Sequence, residues 1–345
     1  MARGRIRLGI IGTGSAVQTI HWPVLQRLSA EIRIAAVVSR RQQNAKAFAR
    51  LVGAARVYSD YPRMLADPEI DAILIAVPII MNGKVLIDCV RCGKHVLAEK
   101  PIAATPVEAL QVLKECRKSR AVVGIAENFR YRDDVMEAKR LIAKGVIGAL
   151  SAFQVNVKFD MNARHQKTWT RTRWRQKAQH PGGFLLDAGV HHVAALRDVL
   201  GEVTETFAQK LDRGFTVPGA DVLLAQFALE NGAFGHYFAC YSAKTQKETT
   251  FELLVYGTRG SIEVRDGKVH WGRGLRGRPH VFVAKQFDRG YRQLWQNFCS
   301  AIRGEDEMVS TPEKAYGDVL LISAALESAK TGRNVSIRPR FYRNW

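Results

Sequence analysis

Cysteine is scarce in this chain: Cys89, Cys92, Cys116, Cys240 and Cys299 are the five among 345 residues. Few and odd in number, they do not make a disulfide framework, and they point to a reducing cytoplasmic compartment. Cys89 and Cys92 form a lone C-x-x-C inside a helical pattern with no second pair to complete a zinc site, so no metal is expected. Long apolar runs are missing as well, and none approaches the roughly 20 residues that span a bilayer. The basic start, Met1-Ala2-Arg3-Gly4-Arg5-Ile6-Arg7, leads into an apolar stretch broken at once by Gly9, Gly12 and Gly14. That reads as a first strand and a turn rather than a signal peptide, and no membrane partner is expected. Acidic residues are in short supply, 32 against 52 Lys and Arg, which leaves a formal net charge of +20. Such an excess favours anionic partners of any kind and says nothing about fold. Internal repeats and low-complexity linkers are also absent.

What is present is enough chain for about two domains, on a prior of roughly 100–200 residues each. Short apolar runs closed by glycine or turn residues alternate with helical patterns from Arg7 to Ala126: strands at 7–12, 32–38, 54–58, 72–77, 95–99 and 121–126, with helices between them. This rhythm predicts an α/β domain over residues 1–126, a Rossmann-type doubly wound parallel sheet. After Asp133 the rhythm changes. A helix is expected over 133–144, with Asp133 or Asp134 as N-cap and Gly145 as stop. Longer alternating segments follow at 151–160, 204–211, 222–229, 233–243, 250–256 and 261–264. Turn chemistry joins them, including Glu230-Asn231-Gly232 and Asp266-Gly267. Residues 127–345 therefore read as an α+β domain with a large, mainly antiparallel sheet. It also carries a helix over 183–200 and closing helices over 289–302 and 313–330, the last entered through Ser310-Thr311-Pro312.

The first strand runs into Gly12-Thr13-Gly14-Ser15-Ala16-Val17 and then a helical pattern. Gly12 permits the tight turn and Gly14 lets backbone approach a pyrophosphate at the helix N-terminus, with Ser15 and Ala16 beside it. Val17 replaces the third glycine of the dinucleotide fingerprint. At the end of the second strand an NAD enzyme usually offers an acidic residue to the ribose; here stand Ser39, Arg40 and Arg41, which suit a 2′-phosphate. NADP is favoured over NAD.

Leu97-Ala98-Glu99-Lys100-Pro101 lies where a parallel strand ends, and Pro101 biases Lys100 away from the right-handed helical region, so the lysine is presented before the next helix. Pro181-Gly182-Gly183-Phe184-Leu185-Leu186-Asp187-Ala188-Gly189-Val190-His191 puts Asp187 and His191 one helical turn apart on one face. A lysine whose ammonium donates hydrogen bonds and an imidazole that titrates near neutrality suit proton transfer at a carbinol oxygen.

With the glycine turn, Glu99-Lys100-Pro101 and the D-x-G-x-H helix in order, the chain resembles the Gfo/Idh/MocA oxidoreductase family. Gly93-Lys94-His95-Val96-Leu97, Arg130, Lys144-Gly145-Val146-Ile147-Gly148 and Trp174-Arg175 extend the resemblance through nearly the whole chain. It implies an NAD(P)-dependent dehydrogenase or reductase of a sugar, cyclic polyol or sugar derivative, with Lys100, Asp187 and His191 facing nicotinamide and substrate. It also implies cofactor contacts from Pro78, Glu99 and Lys100, and an open sheet serving a homo-oligomer, dimer or tetramer. Three positions depart from the family: Ala194 stands where Asp is common, His192 is an extra neighbour, and Asn82 stands where a histidine is common. The segment 164–180 is basic and carries Trp169 and Trp174, which fits a rim for an anionic substrate, a stacking surface for nucleic acid, or a solvated basic loop with Trp174 packed in the core. The tail 333–343 is most simply a solvated end. The reading left beside the enzyme is a non-catalytic NADP-binding regulator or nucleic-acid-associated protein.

Overall fold

Residues 6–125 form six short strands whose near-continuous apolar character suits burial on both faces. In the computed structural model, which describes residues 4–163, 167–177, 180–214, 217–274, 279–285 and 289–337, these are β1 (Ile6–Ile11), β2 (Ile32–Val38), β3 (Arg56–Tyr58), β4 (Ala72–Ile75), β5 (His95–Ala98) and β6 (Val123–Ile125). They pair in parallel in the order β3-β2-β1-β4-β5-β6. This is the doubly wound Rossmann order, whose ligand crevice opens where the order reverses, at the carboxyl ends of β1 and β4. Two intervening helices are entered as their sequences imply. Asp60 accepts from the backbone of Arg63 ahead of Tyr61–Leu65, and Thr105 caps Pro106–Arg117 through the Glu108 amide.

The chain divides into two compact units, 1–127 with 291–316, and 128–290 with 317–345. Residues 291–316, expected with the second domain, thus pack on the first. The helix Tyr291–Ile302 turns Leu294, Trp295, Phe298 and Cys299 inward. Beyond it, the Ser310 carbonyl accepts from the Ile125 amide at 3.0 Å, extending the end of β6. Arg303 pairs with Glu31 at 2.9 Å and Arg117 with Glu313 at 3.1 Å.

The second unit holds a nine-stranded sheet in the order β14-β13-β12-β11-β7-β10-β9-β8-β15. Its strands are β7 (Leu150–Lys158), β8 (Val203–Leu211), β9 (Val222–Leu229), β10 (Phe234–Cys240), β11 (Thr249–Gly257), β12 (Gly260–Arg265), β13 (Lys268–Arg273), β14 (His280–Val283) and β15 (Val335–Ser336). Pairing is antiparallel except between β7 and β10, which run parallel. The last three strands carry no alternation strong enough to be anticipated. Alternate residues are buried, among them Phe153, Val155 and Val157 on β7 and Phe251, Leu253 and Val255 on β11, while Leu224, Phe234 and Tyr256 stay exposed. The sheet therefore has one packed and one open face.

Neither Asp133 nor Asp134 caps the helix Asp133–Ala143: its N-cap position is Arg132, whose guanidinium holds Asp134 at 3.0 and 2.6 Å. The two charges are buried together, so each satisfies the other. The cap of Pro312–Thr331 is Thr311, accepting from Lys314 at 3.3 Å. The five cysteines are unbridged, and burial pushes the Cys89 thiol up, as suits a small buried hydrophobe. No described helix is long and apolar enough to cross a membrane. Of the basic stretches singled out above, 164–166, 178–179 and 338–343 lie outside the described residues.

One histidine makes the first sheet pH-sensitive. His95 Nδ1 accepts the Val122 amide at 3.0 Å, and burial lowers its pKa from 6.5. The unfolded chain therefore takes up the proton first. This contribution to stability is complete above about pH 6.5 and is lost as pH falls from there through the lower folded-state value. Urea midpoints measured at about pH 7.5 and about pH 5.5 should fall further in the wild type than in His95→Gln, and equal falls would refute the assignment.

Candidate active site

The turn after β1 is built on one glycine that cannot be replaced and one that leaves room. Gly12 has φ +98°, and a Cβ there would lie 2.1 Å from the Ala76 carbonyl oxygen. Gly14 is exposed, and a Cβ on it would meet nothing within 4 Å. Ser15 and Ala16 continue the turn, and Val17, in the third glycine's position, is fully buried at the start of a π-helical turn, Val17–His21. The turn is braced internally: Gln18 donates to the Thr13 carbonyl at 2.7 Å and Thr19 to the Ser15 carbonyl at 2.8 Å.

Ser39, Arg40 and Arg41 follow β2 directly. Both arginines are exposed with no ion pair to any described residue, and Arg41 is the N-cap of Gln42–Val52 without capping it through its side chain. Two unopposed guanidiniums beside an uncapped helix start suit a phosphate. Pro78, at the end of the β4 connection, is the extended residue that precedes helix Ile79–Arg91.

Glu99 and Lys100 leave β5 half-buried, and the Lys100–Pro101 peptide is cis. Asn82 holds this segment from one side: its side-chain amide donates to the carbonyls of Glu99 and, at 2.7 Å, Pro101. The residue standing in the family's histidine position thus serves the backbone on either side of Lys100. His21, which the sequence reading passed over, holds the other side, its Nε2 lying 2.7 Å from Glu99 Oε1. Gly12 to Ala16, Ser39 to Arg41, Pro78, Glu99 and Lys100 are thereby gathered at the carboxyl ends of β1, β2, β4 and β5.

In the second unit Asp187 and His191 lie one turn apart on helix Gly183–Leu200. The intervening Gly189 lets the helix approach its neighbours, since a Cβ there would come within 2.8 Å of Ile322 and 3.5 Å of the Tyr237 hydroxyl. Asp187 is buried, and Oδ2 accepts from Arg175 Nε at 2.6 Å. Arg175 lies 4.1 Å over the Trp174 ring and 5.8 Å from Trp169, and also donates to Thr172 Oγ1 at 3.3 Å. Arg175 of the basic segment is therefore turned inward onto a carboxylate, while Arg171, Arg173 and Lys177 stay exposed. His191 stacks on Phe129, centroids 5.0 Å apart, and the Arg132 guanidinium lies 4.6 Å from the same ring. His192 points elsewhere: it is buried, and Nδ1 lies 2.9 Å from the Tyr237 hydroxyl. Ala194 sits in the core, its carbonyl taken by Arg130 at 2.9 Å. His21, Phe129 and the pairing of Arg175 were not anticipated. Trp174-Arg175 was visible as a motif, but no local pattern says which acid an arginine will find.

A Rossmann sheet with a glycine turn and with Lys100 just beyond β5, and a second unit whose helix carries Asp187 and His191, point to a dehydrogenase-type protein, and the comparisons agree. Residues 6–127 match the oxidoreductase family's NAD-binding Rossmann fold, and residues 139–337 match its C-terminal alpha/beta domain. The chain is an NAD-binding oxidoreductase, and it belongs to the Gfo/Idh/MocA family. An uncharacterized protein of Saccharomyces cerevisiae is 30% identical, over 96% of this chain and 98% of its own. The crystal structure of an oxidoreductase from Thermotoga maritima is similar at 32% identity and TM-score 0.86, covering 96% of this chain and 98% of that one. A Bacillus subtilis scyllo-inositol 2-dehydrogenase (NADP(+)) is 23% identical over 96% of each chain.

The two turn glycines separate folding from binding. Gly12→Ala should lower the melting temperature, because a left-handed residue would be forced against the Ala76 carbonyl. Gly14→Ala should melt like the wild type and yet bind dinucleotide at least about tenfold more weakly, a loss of about 1.4 kcal/mol. Calorimetry with NADP and NAD reads both, and unchanged affinity in Gly14→Ala would show that the turn does not seat the pyrophosphate.

Proposed function

We propose that this chain is an NADP-preferring dehydrogenase or reductase that moves a hydride between the nicotinamide and a CH–OH carbon of a sugar, cyclic polyol or sugar derivative. The observation that carries the reading is the lysine at the end of β5, held by Asn82 and His21 beside a glycine turn fit for a dinucleotide. The described residues suit the cofactor: Gly14 leaves open room for the pyrophosphate, and Arg40 and Arg41 are unopposed cations where a 2′-phosphate would lie. When bound, nicotinamide supplies the hydride acceptor or donor. Lys100 donates a hydrogen bond to the substrate oxygen and stabilises its developing charge. His191, stacked on Phe129, takes or returns the hydroxyl proton. Asp187, held by Arg175, accepts from a neighbouring substrate hydroxyl and fixes which carbon faces the cofactor. The Bacillus relative's cyclic polyol and NADP favour the same pairing of substrate and cofactor.

The open sheet face with Leu224, Phe234 and Tyr256 exposed supports a homo-oligomer. A monomer in sedimentation at working concentration would count against it.

The reading is tested by turnover across a panel of inositols and aldoses with each cofactor. Lys100→Ala should lose at least about 10²-fold in kcat while still binding NADP. Replacing Arg40 and Arg41 by Ala should cost NADP about tenfold or more in affinity per arginine and leave NAD nearly unchanged. Equal losses for both dinucleotides would refute the 2′-phosphate assignment. No turnover on any polyol, with a steeply salt-dependent association with nucleic acid, would favour the regulatory alternative.

A further inference from the structure

We propose that His21 is a positioning residue for Lys100, and that Trp295 fixes the tautomer in which it works. The imidazole is fully buried, with Trp295 Nε1 3.1 Å from its Nδ1 and Glu99 Oε1 2.7 Å from its Nε2. An indole N–H can only donate. Nδ1 must therefore be the bare, accepting nitrogen, and the single ring proton sits on Nε2, pointing at the Glu99 carboxylate. An imidazolium would set two donors face to face at Nδ1, and the other tautomer would leave Nε2 and the carboxylate as two acceptors. Only the neutral Nε2–H form satisfies both contacts. The ring is also braced edge-on by Tyr291 and Trp295, each with centroids 5.8 Å away.

This arrangement joins two parts of the first unit that carry different chemistry. His21 closes the π-helical turn that begins at Val17, directly after the glycine turn. Such turns re-aim side chains that a regular helix would point elsewhere, and they recur at functional sites. Its partner Glu99 is the residue before Lys100, and the carbonyls of Glu99 and Pro101 flanking that lysine accept from the Asn82 amide. The segment is thus held through its backbone by Asn82 and through the Glu99 side chain by His21. A displacement of a reacting group by about 1 Å, caused by a change far from the chemistry, can cost about 10²-fold in rate. The turn that seats the dinucleotide and the residue that places the lysine are one continuous stretch of chain, so His21 carries the seating of one to the placement of the other. The inference rests on Lys100 being the reacting residue proposed above.

The test combines a tautomer measurement, a probe of Lys100 that needs no sugar, and turnover. Nitrogen NMR on histidine-labelled protein should show Nδ1 of His21 as the unprotonated, pyridine-type nitrogen and Nε2 as the protonated one, with Trp295→Phe losing that preference. His21→Leu fills the volume and donates nothing; it should lose about 10- to 100-fold in kcat with KM for the polyol little changed, and should alter the rate at which limiting acetic anhydride acylates Lys100. His21→Gln keeps an N–H for Glu99 and should restore most of both. A proton on Nδ1, or wild-type kcat and Lys100 acylation in a folded His21→Leu, would overturn the proposal. So would a defect in stability alone that His21→Gln does not relieve. If no variant or wild type turns over any polyol while tautomer and acylation behave as stated, the substrate reading fails and the positioning role stands.

Discussion

The hydrogen bond from the buried His21 imidazole to Glu99 addresses the hardest local problem in the first unit, which is to fix a lysine just beyond the last paired residue of a strand. β5 ends at Ala98, where regular pairing with its neighbours stops. Beyond it the backbone groups of Glu99 to Pro101 need partners from outside the strand. Asn82 supplies donors to two carbonyls, and the Glu99 amide donates to the Ile75 carbonyl at 2.8 Å. The side-chain hold on Glu99 comes from elsewhere in the sequence, from the turn that opens the nucleotide site. The buried imidazole and the Asn82 amide nitrogen are tolerated because each finds a partner, whereas Asn82 Oδ1 has no hydrogen-bond partner among the described residues; the pairing that is made holds the segment.

The second unit solves a related problem differently. Asp187 is buried on a helix, and a buried carboxylate needs a hydrogen-bonded counter-charge. Arg175 provides it, and the flat guanidinium is in turn supported by Trp174, the adjacent residue in sequence. Of the charge that could mark an anion rim or a stacking surface, Arg175 is spent on this internal pair, while Arg171, Arg173 and Lys177 are exposed. What the excess of basic residues does at the surface is a separate matter, because Arg40 and Arg41 carry theirs unopposed beside a helix start.

Much of this was legible in the sequence. The alternation of apolar runs and helical patterns was enough for the parallel sheet, since a strand buried on both faces has a short, dense apolar signature. Gly12 was legible because its turn geometry excludes other residues; Gly14, Lys100, Asp187 and His191 stand out by the order and spacing of their motifs, and their roles belong to the proposal. The return of 291–316 to the first unit was not legible: an amphipathic helix shows which face it buries but not against what. His21 was missed for the same reason, as a histidine four residues past a glycine turn looks alike whether it faces water or an indole. Asp134 was misread because an aspartate near a helix start most often caps it; here it stands one residue inside the helix, where its carboxylate accepts from the Arg132 guanidinium and from the adjacent Val135 amide at 3.0 Å.

The choice of histidine for the hold on Glu99 has a further physical sense. A lysine or arginine at position 21 would satisfy the carboxylate more strongly, but it would place a second cation next to Lys100 and neutralise Glu99 from the far side. An asparagine or glutamine amide also carries both a donor and an acceptor, but on a side chain more flexible than a ring. Imidazole has one donor and one acceptor on opposite edges of a rigid ring, so the indole on one edge dictates the donor on the other. The neutral ring leaves the charge of Glu99 intact, and Trp295, contributed by the returning helix, makes the arrangement depend on the whole first unit being folded. The placement of Lys100 is in that sense a property of the first unit's tertiary packing rather than of the Glu-Lys-Pro segment that contains it.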